Sequence, residues 1–204
     1  GFGSFFCKKG TKLNCGNSGT LARLLIGILS SNPNINVVIE GDHSLNKRNM
    51  KQLILLMQEF GATFYPKNKF NFPLKMISSE MPLGINYVSG VSAQLKSAVI
   101  LAGLNSYGNT NITLDKISRD HTERFLLNNK NVLTVNKNKL KIEGRKNIHK
   151  FKINVAGDPS SASFFVALTL LMKNSILKIK NVGLNPTRIG FYNMLKKRGA
   201  KIKF

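Results

Sequence analysis

The chain has 204 residues, 42% of them hydrophobic, with 31 basic against 9 acidic side chains and a formal charge of +22. That length and apolar content suit one or two globular domains and exclude a disordered chain, and the longest apolar run, residues 164–172, falls well short of the ~20 residues a membrane-spanning helix needs. The basic excess is 24 Lys and 7 Arg beside 24 Asn, spread without a dense basic run or an aromatic-rich RNA-binding segment, so it reads as solvated surface whose field favours small anions rather than as a nucleic-acid interface. Cys7 and Cys15 have no histidine at zinc spacing and read as reduced structural thiols.

Taken in chain order, three segments share one pattern: "CGNSGTLARLLIGIL" (15–29), "SGVSAQLKSAVILAGL" (89–104) and "AGDPSSASFFVALTLL" (156–171). Each opens on a glycine and small polar residues and runs into a helix rich in small residues. Gly16, Gly90 and Gly157 lie 74 and 67 residues apart. In the first helix Leu21, Leu24, Leu25 and Ile28 fall at i, i+3, i+4 and i+7, which predicts one buried face. A strand is expected after each helix, at 35–42, 110–118 and 175–183. Polar turns carrying arginine follow at 43–50, 119–124 and 184–190, each leading to a second helix. Gly61 and Gly199 stand where the first and third of these helices should stop in the left-handed conformation, with Asn128, Asn129 and Lys130 in the middle copy. The stretches 132–135 and 139–144 alternate around a short polar turn and read as a hairpin. The repeating unit is β-α-β-α-β-β, about 70 residues long, present twice and begun a third time. The chain is therefore expected to be incomplete.

A glycine turn ahead of a helix offers free backbone N–H groups at the positive end of the helix dipole. One such turn would be only a cap, but repeated turns, with Arg23 one turn into the first helix and Arg48, Arg119, Arg124 and Arg188 in the later turns, point to an anion site. Asp158 reads as an N-cap, and Asp42 and Asp120 also lie in turns. Gln94, on the first turn of its helix beside Ser92, has an amide suited to bridging oxygen-rich ligands. His43, His121 and His149 form no nucleophile triad.

The segments "GNSGT", "GDHSLNKRNM", "SAQLKSAVILAGLN", "SRDHTERFL", "GDPSSASF" and "NPTRIG" occur in the order found in the 5-enolpyruvylshikimate-3-phosphate (EPSP) synthase family, the 3-phosphoshikimate 1-carboxyvinyltransferases. The wording is closest to the class II bacterial subgroup, and the resemblance runs from about Leu13 to the end. It implies an α/β (α+β) fold of two lobes, each of three β-α-β-α-β-β units around an inside-out barrel. Residues 1–155 would be most of one lobe and 156–204 the start of the second. The implied reaction transfers the enolpyruvyl group of phosphoenolpyruvate to the 5-hydroxyl of shikimate 3-phosphate and releases phosphate, with no metal and no cofactor. The partners are these two small anions, with no nucleic acid and no membrane. A cytoplasmic protein, monomeric when complete, is expected.

By the same resemblance Gly19, Arg48 and Asn17 would contact phosphoenolpyruvate, Ser92, Ala93 and Arg119 shikimate 3-phosphate, and Gln94 both. Ala93 stands where many relatives carry a second serine, so only its backbone could contribute. Gly19 implies a site open to glyphosate, because tolerant members of the subgroup carry alanine there. The family's lysine- and arginine-bearing early motif and its late acidic catalytic residues belong outside residues 1–204, so the chain alone is expected to be inactive. Two other readings are a sister enolpyruvyl transferase acting on UDP-N-acetylglucosamine, whose loop cysteine neither Cys7 nor Cys15 matches, and a basic nucleic-acid scaffold.

Overall fold

The computed structural model describes residues 8–127, 129, 131–150 and 152–204. Cys7, Asn128 and Lys130 lie outside them. The chain divides into two compact units, residues 1–149 and 150–204.

The first unit contains two copies of one topology. In the first copy β1 (Thr11–Asn14), α1 (Gly19–Ser30) and β2 (Asn36–Glu40) form a parallel crossover. A short α2 (His43–Asn46), α3 (Lys51–Glu59) and the antiparallel pair β3 (Thr63–Tyr65) and β4 (Leu74–Ile77) follow. The second copy runs β5 (Asn86–Ser89), α4 (Ala93–Asn105), β6 (Asn109–Leu114), α5 (His121–Leu126), β7 (Leu133–Asn136) and β8 (Lys139–Glu143). The sheets have the orders β1-β2-β4-β3 and β5-β6-β8-β7, parallel in the first pair and antiparallel in the rest. Both sheets are open, and no closed barrel forms among the described residues. The hairpin expected at 132–144 is present, with Asn136 paired to Lys139 across the turn.

Helix boundaries follow local chemistry. The side-chain oxygens of Ser18 and Ser92 accept from the N–H groups of Leu21 and Leu95 and so cap α1 and α4. The segment 43–46 is a helical turn rather than a loop, because the Asp42 carboxylate accepts from Leu45 N. After α3, Gly61 sits at φ +94°; its N–H donates to Gln58 O at 2.9 Å, and Ala62 N–H donates to Met57 O at 3.1 Å. This paired closure requires a residue that tolerates the left-handed region. In the middle copy, Asn129 is buried and its side-chain oxygen accepts from His149 N at 2.7 Å.

The face expected on α1 is not the one buried. Leu21 is 49% exposed, and Leu24, Leu25 and Ile28 are only partly covered; Ala22, Ile26, Gly27, Leu29 and Ser30 are buried instead. Alpha-helix α1 packs along α4, and the small residues permit the approach. A Cβ at Gly27 would lie 2.6 Å from the Ala98 carbonyl oxygen. A helix packed closely along a second helix buries its small residues where the backbones meet, while Ile26 and Leu29 fill the core beside them and Leu21, Leu24, Leu25 and Ile28 lie at the margin. Side chains of α4 and α5 are joined by the buried Lys96–Glu123 ion pair at 2.5 Å and by Ser97–Thr122 at 2.7 Å.

The second unit holds α6 (Pro159–Leu171) and α7 (Gly190–Lys197). Asp158 caps α6 as expected, accepting from Ser161 N at 3.1 Å. Gly199 closes α7 at φ +93°, with Gly199 N–H to Lys196 O and Ala200 N–H to Leu195 O, both at 3.0 Å. The strand expected at 175–183 is absent. Only an isolated bridge joins Gly157 to Val182. In the first unit the corresponding strands β2 and β6 lie between a parallel and an antiparallel neighbour, and no antiparallel neighbour pairs with 175–183 among the described residues. Ladder hydrogen bonds on one edge alone, over one residue pair, do not hold a strand. The apolar α6 is correspondingly exposed, with Phe164 at 78% and Leu171 at 85%.

Candidate functional site

The loop "CGNSGT" is shaped by its own polar atoms. Gly16 takes φ +54°, its N–H donates to Asn14 Oδ1 at 2.8 Å, and Ser18 N–H donates to Cys15 O at 3.0 Å. Asp42 N–H donates to Gly16 O at 2.9 Å, which brings the loops after β1 and β2 side by side. Cys15 is buried, and that burial pushes its thiol pKa up, so it behaves as an inert core thiol.

Two guanidinium groups converge on the start of α1. Arg23, one turn into the helix, donates from Nη1 to Gly19 O at 3.1 Å. Arg48 donates from Nη2 to Asn17 Oδ1 at 2.9 Å. A Cβ at Gly19 would lie 2.7 Å from Arg23 Nη1 and 2.8 Å from Arg48 Nη1, so only glycine leaves both groups in place. Neither arginine has a carboxylate within ion-pair distance among the described residues. Burial, and then the positive charge of Arg48, lower the pKa of Arg23, which still remains protonated. Two unpaired cations facing a helix N-terminus form an arrangement that an anion relieves.

Gln94 connects this cluster to α4. Its Oε1 accepts from Arg23 Nη1 at 3.0 Å and its Nε2 donates to Thr20 Oγ1 at 2.6 Å. Its neighbours Ser92 and Ala93 stand at the α4 N-terminus. The Ser92 oxygen accepts from Leu95 N at 3.3 Å, which leaves its hydroxyl hydrogen available to a ligand. An open cavity of about 410 Å3 adjoins these groups, lined by Arg23, Ser92 and Gln94 together with Asn49, just before α3, and Lys51, its first residue.

The structure thus gathers Asn17, Gly19, Arg48 and Gln94 around the start of α1 in two hydrogen-bonded sets, Asn17 with Arg48 and Gly19 with Arg23 and Gln94, with Ser92 and Ala93 beside Gln94. It does not join Arg119, which is exposed in the loop before α5 and has no hydrogen-bond partner among the described residues. Arg124 pairs with Asp120 at 2.8 Å. In the second unit Arg188 is bound by Asp158 at 2.6 Å and Ser160 at 2.7 Å, and the acidic cap occupies the α6 N-terminus. That third turn is satisfied internally. Thr20, and the contact of Arg23 with Gln94, are what the sequence does not single out. The available signal was a lone arginine four residues after a glycine, on the same side of the helix.

The EPSP synthase (3-phosphoshikimate 1-carboxyvinyltransferase) family profile matches residues 1–204. The chain is 42% identical over 192 residues to the 3-phosphoshikimate 1-carboxyvinyltransferase of Bacillus subtilis, covering 94% of this chain and 45% of that protein. It is 40% identical over 192 residues to the protein of the same name from Coxiella burnetii strain RSA 331 / Henzerling II, covering 94% and 43%. Among solved structures, EPSP synthase from Acinetobacter baumannii superposes with a TM-score of 0.79 at 35% identity, covering 94% of this chain and 43% of that one. The chain spans less than half the length of these curated relatives. With the profile matched along the whole chain, it belongs to the EPSP synthase family.

Proposed function

We propose that the protein to which this chain belongs transfers the enolpyruvyl group of phosphoenolpyruvate to the 5-hydroxyl of shikimate 3-phosphate, releasing phosphate. The observation that carries this reading is the convergence of Arg23 and Arg48 on Gly19 with Gln94 beside them, within a member of the EPSP synthase family. Arg48 and Arg23 pair with the anionic groups of phosphoenolpyruvate over the bare Gly19 backbone, and Asn17 holds Arg48 in place. Ser92, through its free hydroxyl hydrogen, and the first-turn N–H groups of Ala93 and Gln94 receive shikimate 3-phosphate, with Arg119 reaching the same ligand. Gln94 lies between the two ligands and contacts both. Residues 1–155 then belong to one lobe and 156–204 to the other, and the groups that exchange protons lie outside this segment. Binding two anions in register supplies the orientation that the addition step needs. The enzyme acts as a cytoplasmic monomer on small anions, without nucleic acid or membrane. No helix among the described residues is long and apolar enough to cross a membrane.

The test is phosphate release from the two substrates by the enzyme expressed from its complete reading frame. Activity that Arg48→Ala abolishes supports the reading; release with UDP-N-acetylglucosamine as acceptor, and none with shikimate 3-phosphate, overturns it.

A further inference from the structure

Asp42 touches neither Gly19 nor Gln94 in any hydrogen bond of the cluster, yet each of its polar groups is committed. Its N–H binds Gly16 O at 2.9 Å, its Oδ1 accepts from Leu45 N at 2.8 Å, and its Oδ2 accepts from Asn17 Nδ2 at 2.7 Å. Asn17 therefore lies between a carboxylate, which only accepts, and the Arg48 guanidinium, which only donates. One orientation of the Asn17 amide satisfies both neighbours, nitrogen to Asp42 and oxygen to Arg48. The reverse would set donor against donor and acceptor against acceptor. Held by Nη2 on Asn17, the Arg48 fork presents its Nη1 over Gly19.

We propose that Asp42 is a positioning residue: by fixing the Asn17 amide it aims Arg48 at the anion bound over Gly19. This rests on the function proposed above and adds to it a residue that acts through Asn17 rather than on substrate. Charge alone does not account for the placement, since a carboxylate beside an anion site would repel the ligand. Its geometry does account for it, because one oxygen anchors α2 above the buried Leu45 and the other sets the amide.

The substitution that separates these roles is Asp42→Asn in the enzyme from its complete reading frame. The amide keeps an oxygen for Leu45 N but offers a donor to Asn17, which then turns its own nitrogen toward Arg48. The expected result is a rise of about tenfold in KM for phosphoenolpyruvate, the order expected for a hydrogen bond to a charged group, with KM for shikimate 3-phosphate unchanged and a folded circular dichroism spectrum. In an Asn17→Ala background, adding Asp42→Asn should change KM no further, since the path runs through Asn17. An unchanged KM for phosphoenolpyruvate, an equal rise in both KM values, or additive effects in the double variant would overturn the inference while leaving the proposed function standing. A parent enzyme that releases no phosphate from the two substrates overturns the function and this inference with it.

Discussion

Arg23 and Gln94, 71 residues apart in sequence, meet at 3.0 Å and fasten the N-termini of α1 and α4 to each other. Each belongs to a separate copy of the repeat, so the cluster exists only once both copies have folded and packed. Gln94→Ala removes this bridge and the contact to Thr20 together. It should lower stability by about 1–2 kcal/mol, the scale of one part-buried charge-assisted hydrogen bond. On the proposed function, with the amide contacting both ligands, KM for both substrates should rise; a rise for one substrate alone would reassign it. Steady-state kinetics with each substrate varied in turn decide the matter.

Gly19→Ala places a methyl group 2.7 Å and 2.8 Å from the two guanidinium nitrogens. The arginine ends are flexible and give way, so the fold survives while the anion site shrinks. KM for phosphoenolpyruvate should rise about tenfold, for the loss of one well-placed charged contact. The parent enzyme, with Gly19, should be inhibited by glyphosate and the variant much less so. An inhibition curve on the parent that stays flat would remove this account of the site.

Gly27→Ala acts at the other end of α1. Its Cβ would meet the Ala98 carbonyl oxygen at 2.6 Å and the Ala98 Cα at 2.8 Å, both backbone atoms with nowhere to move. The two helices must separate, at a cost of about 1–3 kcal/mol typical of overpacking. Activity should fall with stability, since Arg23 and Gln94 move apart with their helices. Chemical denaturation and kinetics on one preparation would show whether the two losses travel together.

Lys96 and Glu123 form a pair with side chains 2% and 7% exposed, and the second Glu123 oxygen is buried without a hydrogen-bond partner among the described residues. Lys96→Met or Glu123→Gln alone strands a charge or a polar group, and a loss of about 3–5 kcal/mol is expected for the charge. Replacing both with apolar residues of similar volume should recover most of it. Denaturant titration of the three variants tests this, and a double variant as weak as the worse single one would show that the pair has another duty.

Asp42 also sets a pH limit. Its carboxyl is held below the usual carboxylate range, first by the Leu45 N–H, with the Asn17 amide, the Ser44 N–H and the charge of Arg48 acting the same way. A carboxyl whose folded pKa is depressed adds stability above its unfolded value of about 3.9 and loses it as pH falls through the folded value. The melting temperature of the parent should exceed that of Asp42→Asn at neutral pH; the difference should begin to shrink below about pH 3.9 and vanish only below the depressed folded value. A difference that persists there would point to packing rather than charge.

Much of the architecture follows from local chemistry that any reader of the chain can see. Ser18, Ser92 and Asp158 cap helices because their short side chains reach back to a free N–H two or three residues on, and Gly61 and Gly199 end helices because they accept a left-handed backbone. The β-α-β-α-β-β period, and with it the family, is likewise written in the order of the segments. Packing between copies decided what that order could not. Ala22, Ile26, Gly27, Leu29 and Ser30, not Leu21, Leu24, Leu25 and Ile28, became the buried face of α1, and backbone approach to α4 at Ala98 leaves no room for a side chain at Gly27. The stretch 175–183 is not a strand, since no antiparallel neighbour pairs with it among the described residues, although its own alternation suits one. Arg23 meets Gln94 because α1 and α4 lie side by side, a relation with no trace in the residues next to either. Local hydrogen bonds depend on neighbours in sequence and are legible there, whereas the meeting of Arg23 with Gln94 depends on helices brought together across 71 residues.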